Sequence, residues 1–591
     1  MSTILRLFDI PYYQQKNYPL KKSFVTKYGN QWVATSTDEY IDKANAVSRA
    51  LHAMGIRKGD KIAVITSANR TEWHILDIGA LQIGAVTVPI YPTISAEDYE
   101  YIIKHSESTY VFVSDKEILA KLDSIKFNIP KLRGIFSFDE IPGCANWKKI
   151  LEAGYEARNQ QEIEQIKYYI DPKELASIIY TSGTTGRPKG VLLTHENIVS
   201  NILGSEPRVP FEKGKYISLS FLPCCHIFER MILYLYQYLG VSIHFAESIE
   251  KISDNLQEVK PDVMTVVPRV LEKVYDKIYH KGTELSGIKK TLFFWALKLG
   301  HKFEPYGANG GWYEFKLKIA RKLIFSKWHA ALGGNLKLLV SGSAPLQPRL
   351  ARVFGAAGIP VMEGYGLTET SPVIAVNDQR NHGWKIGTVG KILHNIEVKI
   401  ADDGEILCKG PSIAQGYYKE QEKTAEAYID GYFHTGDIGE IDTQGFLKIT
   451  DRKKEMFKTS GGKYVAPQII ENAMKQSRFI EQIMVIGEGE RMPAALIQPN
   501  FEFLKEWANR KGVNLGFSYD EVVKNNLVIE RIQEEVNEIN KKFGNWEQIK
   551  KFELTPEIWS IEGTELTPTL KLKRKVILAK YQKLYDKIYK K

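Results

Sequence analysis

Cysteine is scarce in this chain: Cys144, Cys224, Cys225 and Cys408 are all that 591 residues contain, and none stands in a C-x-x-C spacing. That excludes a disulfide scaffold, a cysteine-based zinc knuckle and a dithiol redox pair, and fits a reducing, cytoplasmic setting. Long apolar runs are missing as well. Arg6 and Asp9 interrupt the first apolar residues before a signal-peptide core can form. The most apolar stretch, 231–245, carries Gln237 and His244 and falls short of the roughly 20 residues that span a bilayer, so no transmembrane helix is expected. Internal repeats, low-complexity tracts and Pro/Ser-rich linkers are absent too, which excludes repeat arrays and modules on long tethers. Neither sign of charge dominates, with 80 Lys and Arg against 70 Asp and Glu. The excess lies almost wholly in 567–591, where eight Lys and Arg574 face the single acid Asp586. A basic stripe across a folded face, as nucleic acid requires, is not visible. A short basic end points instead to a solvated terminus, a phosphate-bearing ligand or an anionic membrane surface.

What is present is a large core: 43% of residues are hydrophobic and 11% aromatic. β-Rich apolar runs (62–66, 110–113, 263–267, 336–340) alternate with helical patterns such as 36–51, which reads as α/β with mainly parallel buried strands. From Ile396 the texture changes to short strands punctuated by glycine turns, a small β-rich subdomain. The polar stretch 450–455 then leads into about 140 residues of α+β texture, the size of a small domain. The expected division is a large domain over 1–450 and a small mobile domain over 451–591.

The strongest local signal is Leu175 to His195, a strand running into the loop Thr181-Ser182-Gly183-Thr184-Thr185-Gly186 and on to Lys189. Backbone N–H groups and hydroxyls of such a loop wrap phosphate oxygens, and a lysine adds a mobile charge. It is not a Walker loop, because Lys189 follows Pro188 rather than the required glycine. The segment resembles the hallmark loop of the adenylate-forming superfamily, and the rest of that family's motif order follows over most of the chain. Within that superfamily the chain resembles the AMP-forming long-chain acyl-CoA synthetases.

The resemblance implies the remaining roles. Gly342-Ser343-Ala344-Pro345 borders the adenine. In Glu363-Gly364-Tyr365-Gly-Leu-Thr368-Glu369, Tyr365 stacks on the base, Thr368 meets the α-phosphate, and Glu369, with Thr184, holds Mg²⁺. Asp437 accepts from both ribose hydroxyls, with Tyr432 where the family usually has tryptophan. Arg452 contacts ribose or phosphate, Lys454 is the hinge pivot, and Gly461 and Gly462 line the thiol tunnel. Lys571 takes the catalytic lysine position by alignment on Arg574; the Ser-Gly pair usual there is missing, so Lys573 is a rival. His226 stands near the acyl and pantetheine passage, or else is a core histidine satisfied by backbone. Residues 288–329 mix aromatic and basic side chains, which suits either a helix on a membrane surface or ordinary packing.

The implied reaction activates a long-chain fatty acid with ATP and Mg²⁺ to an acyl-adenylate and passes the acyl group to CoA, the small domain rotating between the two steps. Weak peripheral contact with the inner face of the membrane is a further expectation; no nucleic acid or obligate protein partner is. Two other readings stand: a ligase that delivers to a carrier protein, and a non-enzymatic lipid binder on the same scaffold. Intact Gly461-Gly462 and the retained Glu369, Asp437 and lysines weigh against them.

Overall fold

The apolar runs become strands buried on both faces, as in Val86–Ile90 and Val263–Val266, where every side chain is covered. Strands of that kind need helices on each side of the sheet. A computed structural model describes residues 4–181, 187–453, 455–567 and 570–590. The chain divides into two compact units, one of residues 1–399, 407–434 and 442–447, the other of 400–406, 435–441 and 448–591.

The first unit holds two large sheets. A seven-stranded sheet runs in the order Ala145–Asn146, Gly134–Ser137, Ser108–Val113, Lys61–Ile65, Val86–Ile90, Leu175–Thr181 and Lys189–Thr194. All its pairs are parallel except the last, a hairpin that sets Thr181 opposite Lys189. A nine-stranded sheet has a parallel centre (Val361–Gly366, Leu338–Ser341, Val263–Val266, Ile217–Ser220, Ser242–Phe245, Phe24–Tyr28) with antiparallel strands added at its two ends.

Helix Thr37–Ala53 starts where the sequence places it, because Ser36 and Glu39 form a capping box. Helix Thr71–Leu81 is buried along its whole length, and Ile227–Tyr238 along nearly all of its own. Such burial accounts for the apolar run at 231–245, which is a core helix followed by a strand. Among the described residues no helix is long and apolar enough to cross a membrane.

These two helices carry a charge pair into the core. Arg230 donates to Asp77 at 2.6 Å, to Ser177 Oγ at 2.6 Å and to Thr87 Oγ1 at 2.9 Å, and Tyr234 donates to the other Asp77 oxygen. Arg230 and Asp77 are 0% and 2% exposed, so each compensates the other's desolvation. Thr87 and Ser177 belong to the seven-stranded sheet, and the network thereby fixes the helix Ile227–Tyr238 against it.

The second unit is built on Ile480–Ile486, Ala494–Pro499 and Lys551–Leu554. The basic C-terminal stretch is not a solvated tail. It forms helices Arg574–Lys580 and Gln582–Tyr589, with Ile577, Tyr581 and Ile588 buried beside Met484, Leu496 and Trp559. Lys580 pairs with Glu557 and Glu565, and Lys587 with Glu553 at 2.8 Å. Apolar positions three, four and seven apart make this end amphipathic, which its net charge alone conceals.

Candidate functional site

In the first unit the loop expected to wrap phosphates, Ser182, Gly183, Thr184, Thr185 and Gly186, lies outside the described residues, as does Lys454 in the second. The hairpin that carries the loop is described: its register ends at Thr181 opposite Lys189, which leaves both at the loop's base. Residues 414–418 extend this edge. Val191 bridges to Tyr417, and Leu192 N–H donates to Gly416 O at 3.0 Å.

The strand Val361–Gly366 delivers Glu363, Gly364 and Tyr365, then turns sharply against Val373–Val376. At Gly366 a Cβ would sit 1.6 Å from Pro372 O, so only glycine permits the crossing. Thr368 and Glu369 follow in a single 3-10 turn. Asn201 locks that turn from behind, donating to Thr370 O at 3.2 Å and Val373 O at 2.8 Å and accepting from Val373 N–H at 3.1 Å. Asn201 is fully buried and escapes motif reasoning, because nothing near it in sequence marks it as part of the site.

Glu369 meets Tyr417, whose phenol donates to Oε1 at 2.8 Å. The same ring carries the Lys189 ammonium 4.3 Å from its centroid. Lys189 and Glu369, 180 residues apart in sequence, are thus gathered on one side chain. Burial, and then the Glu369 charge, pushes the Tyr417 hydroxyl well above its ordinary range, so it is a donor at any physiological pH. Ala414 N–H adds a bond to Glu369 O at 2.8 Å. Tyr417 is a second residue that the motifs do not reveal.

Glu363 turns inward. Its carboxyl accepts from Leu346 N–H at 2.9 Å and is pushed up to about 8 by burial. It therefore braces the 342–346 turn. In that turn Ser343 has φ 69° and Ala344 and Pro345 are exposed, while the Phe228 ring packs within 3.1 Å of where a Cβ on Gly342 would lie. Tyr365 and Thr368 are half-buried. His226 caps the helix Ile227–Tyr238, accepting from Phe228 N–H at 3.2 Å, and lies edge-on to Tyr91 at 6.5 Å. Cys224 and Cys225 are both buried.

In the second unit Asp437 and Arg452 come together. Arg452 Nε donates to Asp437 Oδ1 at 3.0 Å, with the carboxylate side chain 5% exposed. Next to them Lys453 pairs with Asp403 at 2.6 Å and Glu405 at 2.7 Å, so the basic run 452–454 is partnered at its described positions rather than merely solvated. Gly461 and Gly462 form an exposed turn closed by Thr459 N–H to Lys463 O, with no atom within 4 Å of a Cβ on Gly462. Lys571 is exposed on a tight turn in which Thr567 N–H donates to Lys571 O at 2.8 Å and Leu566 bridges to Leu572. Lys573 is half-buried at the start of helix Arg574–Lys580. Arg574 itself is an internal tie, bonded to Glu471 at 2.6 Å, Glu455 at 3.2 Å and Val485 O at 3.1 Å.

Asp451 lies beside this tie. Burial, helped by the Glu455 and Glu471 charges, pushes its carboxyl up to about 7. Its unfolded value is about 4. Between those values the folded state holds the extra proton, so the ionised form destabilises the fold progressively as pH rises through 7. Asp451→Asn therefore raises the melting temperature more at pH 8 than at pH 5; an equal gain at both, read by calorimetry, contradicts this.

Comparison with known proteins follows the same division. Residues 12–418 match the AMP-binding enzyme family and 455–591 the AMP-binding enzyme C-terminal domain. A long-chain-fatty-acid–CoA ligase of Mycobacterium bovis, FadD15, is 35% identical over 95% of this chain and 93% of its own length. Long chain acyl-CoA synthetase 3 of Arabidopsis thaliana is 32% identical over 99% of this chain and 91% of its own. Among solved structures, the anthranilate CoA ligase AuaEII in complex with anthranoyl-AMP superposes with a TM-score of 0.72 at 20% identity, covering 98% of each chain.

Proposed function

As the chain belongs to the AMP-binding enzymes, we propose that it is an AMP-forming long-chain fatty acid CoA ligase that uses ATP and CoA. A fatty acid carboxylate oxygen bonds to the α-phosphorus as the α–β bridging P–O bond breaks, releasing pyrophosphate; the CoA sulfur then bonds to the acyl carbon and AMP leaves. The observation that carries the reading is the pairing of Lys189 and Glu369 at Tyr417. It offers a cation to phosphate oxygens and a carboxylate to a divalent ion.

Mg²⁺ fits this donor set. Among the described residues no group of three or more His, Cys, Asp and Glu could hold a metal alone, and Mg²⁺ is ordinarily held by one or two carboxylates together with substrate phosphates. Glu369, with the Thr184 hydroxyl, would hold it, and when bound it neutralises phosphate charge. Lys189 orients the phosphate oxygens, Thr368 and Tyr365 serve the α-phosphate and base with Glu363 and 342–345 framing them, Asp437 and Arg452 serve the ribose, and His226 borders the acyl passage. Lys571 is assigned to adenylation and Gly461 and Gly462 to the thiol step, with Lys454 as pivot and the functional division at 450/451. The two family matches, 12–418 and 455–591, support that division.

Glu369→Gln keeps a neutral oxygen ligand but loses its charge, so adenylation falls by about 10² while the melting temperature is held. Pyrophosphate release from ATP and a long-chain acid, with and without CoA, measures it; release at the wild-type rate removes Glu369 from the site. A panel of carboxylates in the same assay tests the substrate class.

We further place the chain in the cytoplasm with weak contact to an anionic membrane surface. Helices Gly287–Gly300, Gly311–Ala320 and Ser326–Ala331, the last two joined by the π-helical turn Arg321–Phe325, bury Phe293, Leu297, Leu317, Ile324, Phe325 and Trp328 on one side. On another side Trp312, Phe315, Ile319 and Leu323 stay exposed at spacings of three and four, with Lys316 4.9 Å from the Trp312 ring. Residues 287–331 hold nine Lys and Arg against two acids. Each lysine near such a surface contributes about 1 kcal/mol, screened by salt. Trp312→Ser with Lys316→Glu is expected to weaken cosedimentation with phosphatidylserine vesicles by about tenfold; unchanged binding, or equal binding to neutral vesicles, defeats the assignment.

A further inference from the structure

We propose that Tyr417 is a positioning residue that sets Lys189 and Glu369 for the nucleotide through two different parts of one side chain. The proposal rests on the reading of those two residues as the groups that face phosphate and Mg²⁺. The phenol hydroxyl has one proton to give and spends it on Glu369 Oε1, at 2.8 Å. That restrains the rotation of the carboxylate. The ring face meets the Lys189 ammonium at 4.3 Å, a cation–π attraction that sets the lysine over the ring and leaves its charge in place.

The ring itself has little freedom. Tyr417 is 6% exposed, its N–H donates to Thr424 Oγ1 at 3.0 Å, and the half-buried Tyr428 ring stands edge-on to it at 6.3 Å. Its backbone bridges to Val191, two residues beyond Lys189, and Ala414, three residues before it, bonds to Glu369 O. One short segment is thus tied to both the Lys189 strand and the Glu369 turn, with the side chain reaching between the two functional groups. A tyrosine serving only as core filling would not need its hydroxyl, since phenylalanine has the same ring.

Two substitutions separate the two contacts. Tyr417→Phe keeps the ring under Lys189 and removes the bond to Glu369; Tyr417→Leu removes both. Each is measured for ATP affinity by calorimetry in EDTA, for the Mg²⁺ concentration giving half-maximal adenylation, and for melting temperature. Loss of a hydrogen bond to a charged group is expected to raise the Mg²⁺ requirement of Tyr417→Phe about tenfold, with ATP affinity in EDTA within about twofold of wild type. Tyr417→Leu is expected to share the Mg²⁺ defect and to bind ATP in EDTA about fivefold more weakly. A Mg²⁺ requirement unchanged in Tyr417→Phe overturns the proposal, whatever the melting temperature does. So does a Tyr417→Leu variant whose ATP affinity in EDTA equals that of Tyr417→Phe. Lys189→Ala and Glu369→Gln are measured alongside: if they leave adenylation intact, the functional reading itself fails, whereas if they impair it and Tyr417→Phe does not, only the role of Tyr417 fails.

Discussion

Lys571→Ala is expected to slow acyl-adenylate formation by about 10³ while leaving thioester formation from a preformed acyl-adenylate near the wild-type rate. Removing a charge that stabilises a transition state commonly costs about 10² to 10³, and an ammonium beside a phosphoryl group undergoing substitution is at the upper end of that range. The residue stands exposed on a tight turn closed by Thr567 N–H to its carbonyl. Lys573, two residues on, is half-buried where helix Arg574–Lys580 begins, and its N–H is committed to Glu565 O at 2.8 Å. Lys573→Ala is accordingly mild in both half-reactions. Pyrophosphate release and acyl transfer from synthetic acyl-adenylate, measured separately for the two variants, decide the matter; selective loss of adenylation in Lys573→Ala would move the assignment to that residue.

Arg230→Met is expected to lower the unfolding free energy by about 3 to 5 kcal/mol, because it leaves the Asp77 carboxylate buried without its counter-charge. Asp77→Leu alone has a comparable cost for the converse reason. The double variant recovers part of the loss, since two apolar side chains no longer need each other's charge. Denaturant melts of the three variants test this, and strict additivity of the single losses would show that the pair is not coupled. The effect falls on stability rather than on either half-reaction, as the network reaches Ser177 and Thr87 inside the sheet rather than any phosphate-facing group.

Much of the candidate site is local pattern in the chain as a string. Thr181 and Lys189 flank a Ser/Thr/Gly loop, and glycines at 364 and 366 bracket Tyr365 ahead of Thr368 and Glu369; these are local patterns, complete within a few residues. The strands were legible for a similar reason, because a stretch such as 263–266 is apolar at every position and has to be covered on both faces. Burial of the C-terminal basic helices was not legible from net charge, since Ile577, Tyr581 and Ile588 sit among eight lysines and an arginine.

Other features depend on which strands lie side by side. Tyr417 in a Gly-Tyr-Tyr turn carries no mark of its task until residues 414–418 line up along the strand of Lys189 and reach the turn of Glu369. Asn201 is 169 residues from the Thr370 carbonyl it holds, and Arg230 is 153 from Asp77. Side-chain pattern along the chain reports whether a residue is buried and what chemistry it brings. Which partner satisfies a buried polar group is settled by sheet order and helix placement, because a hydrogen bond forms over about 3 Å of space whatever the separation in sequence.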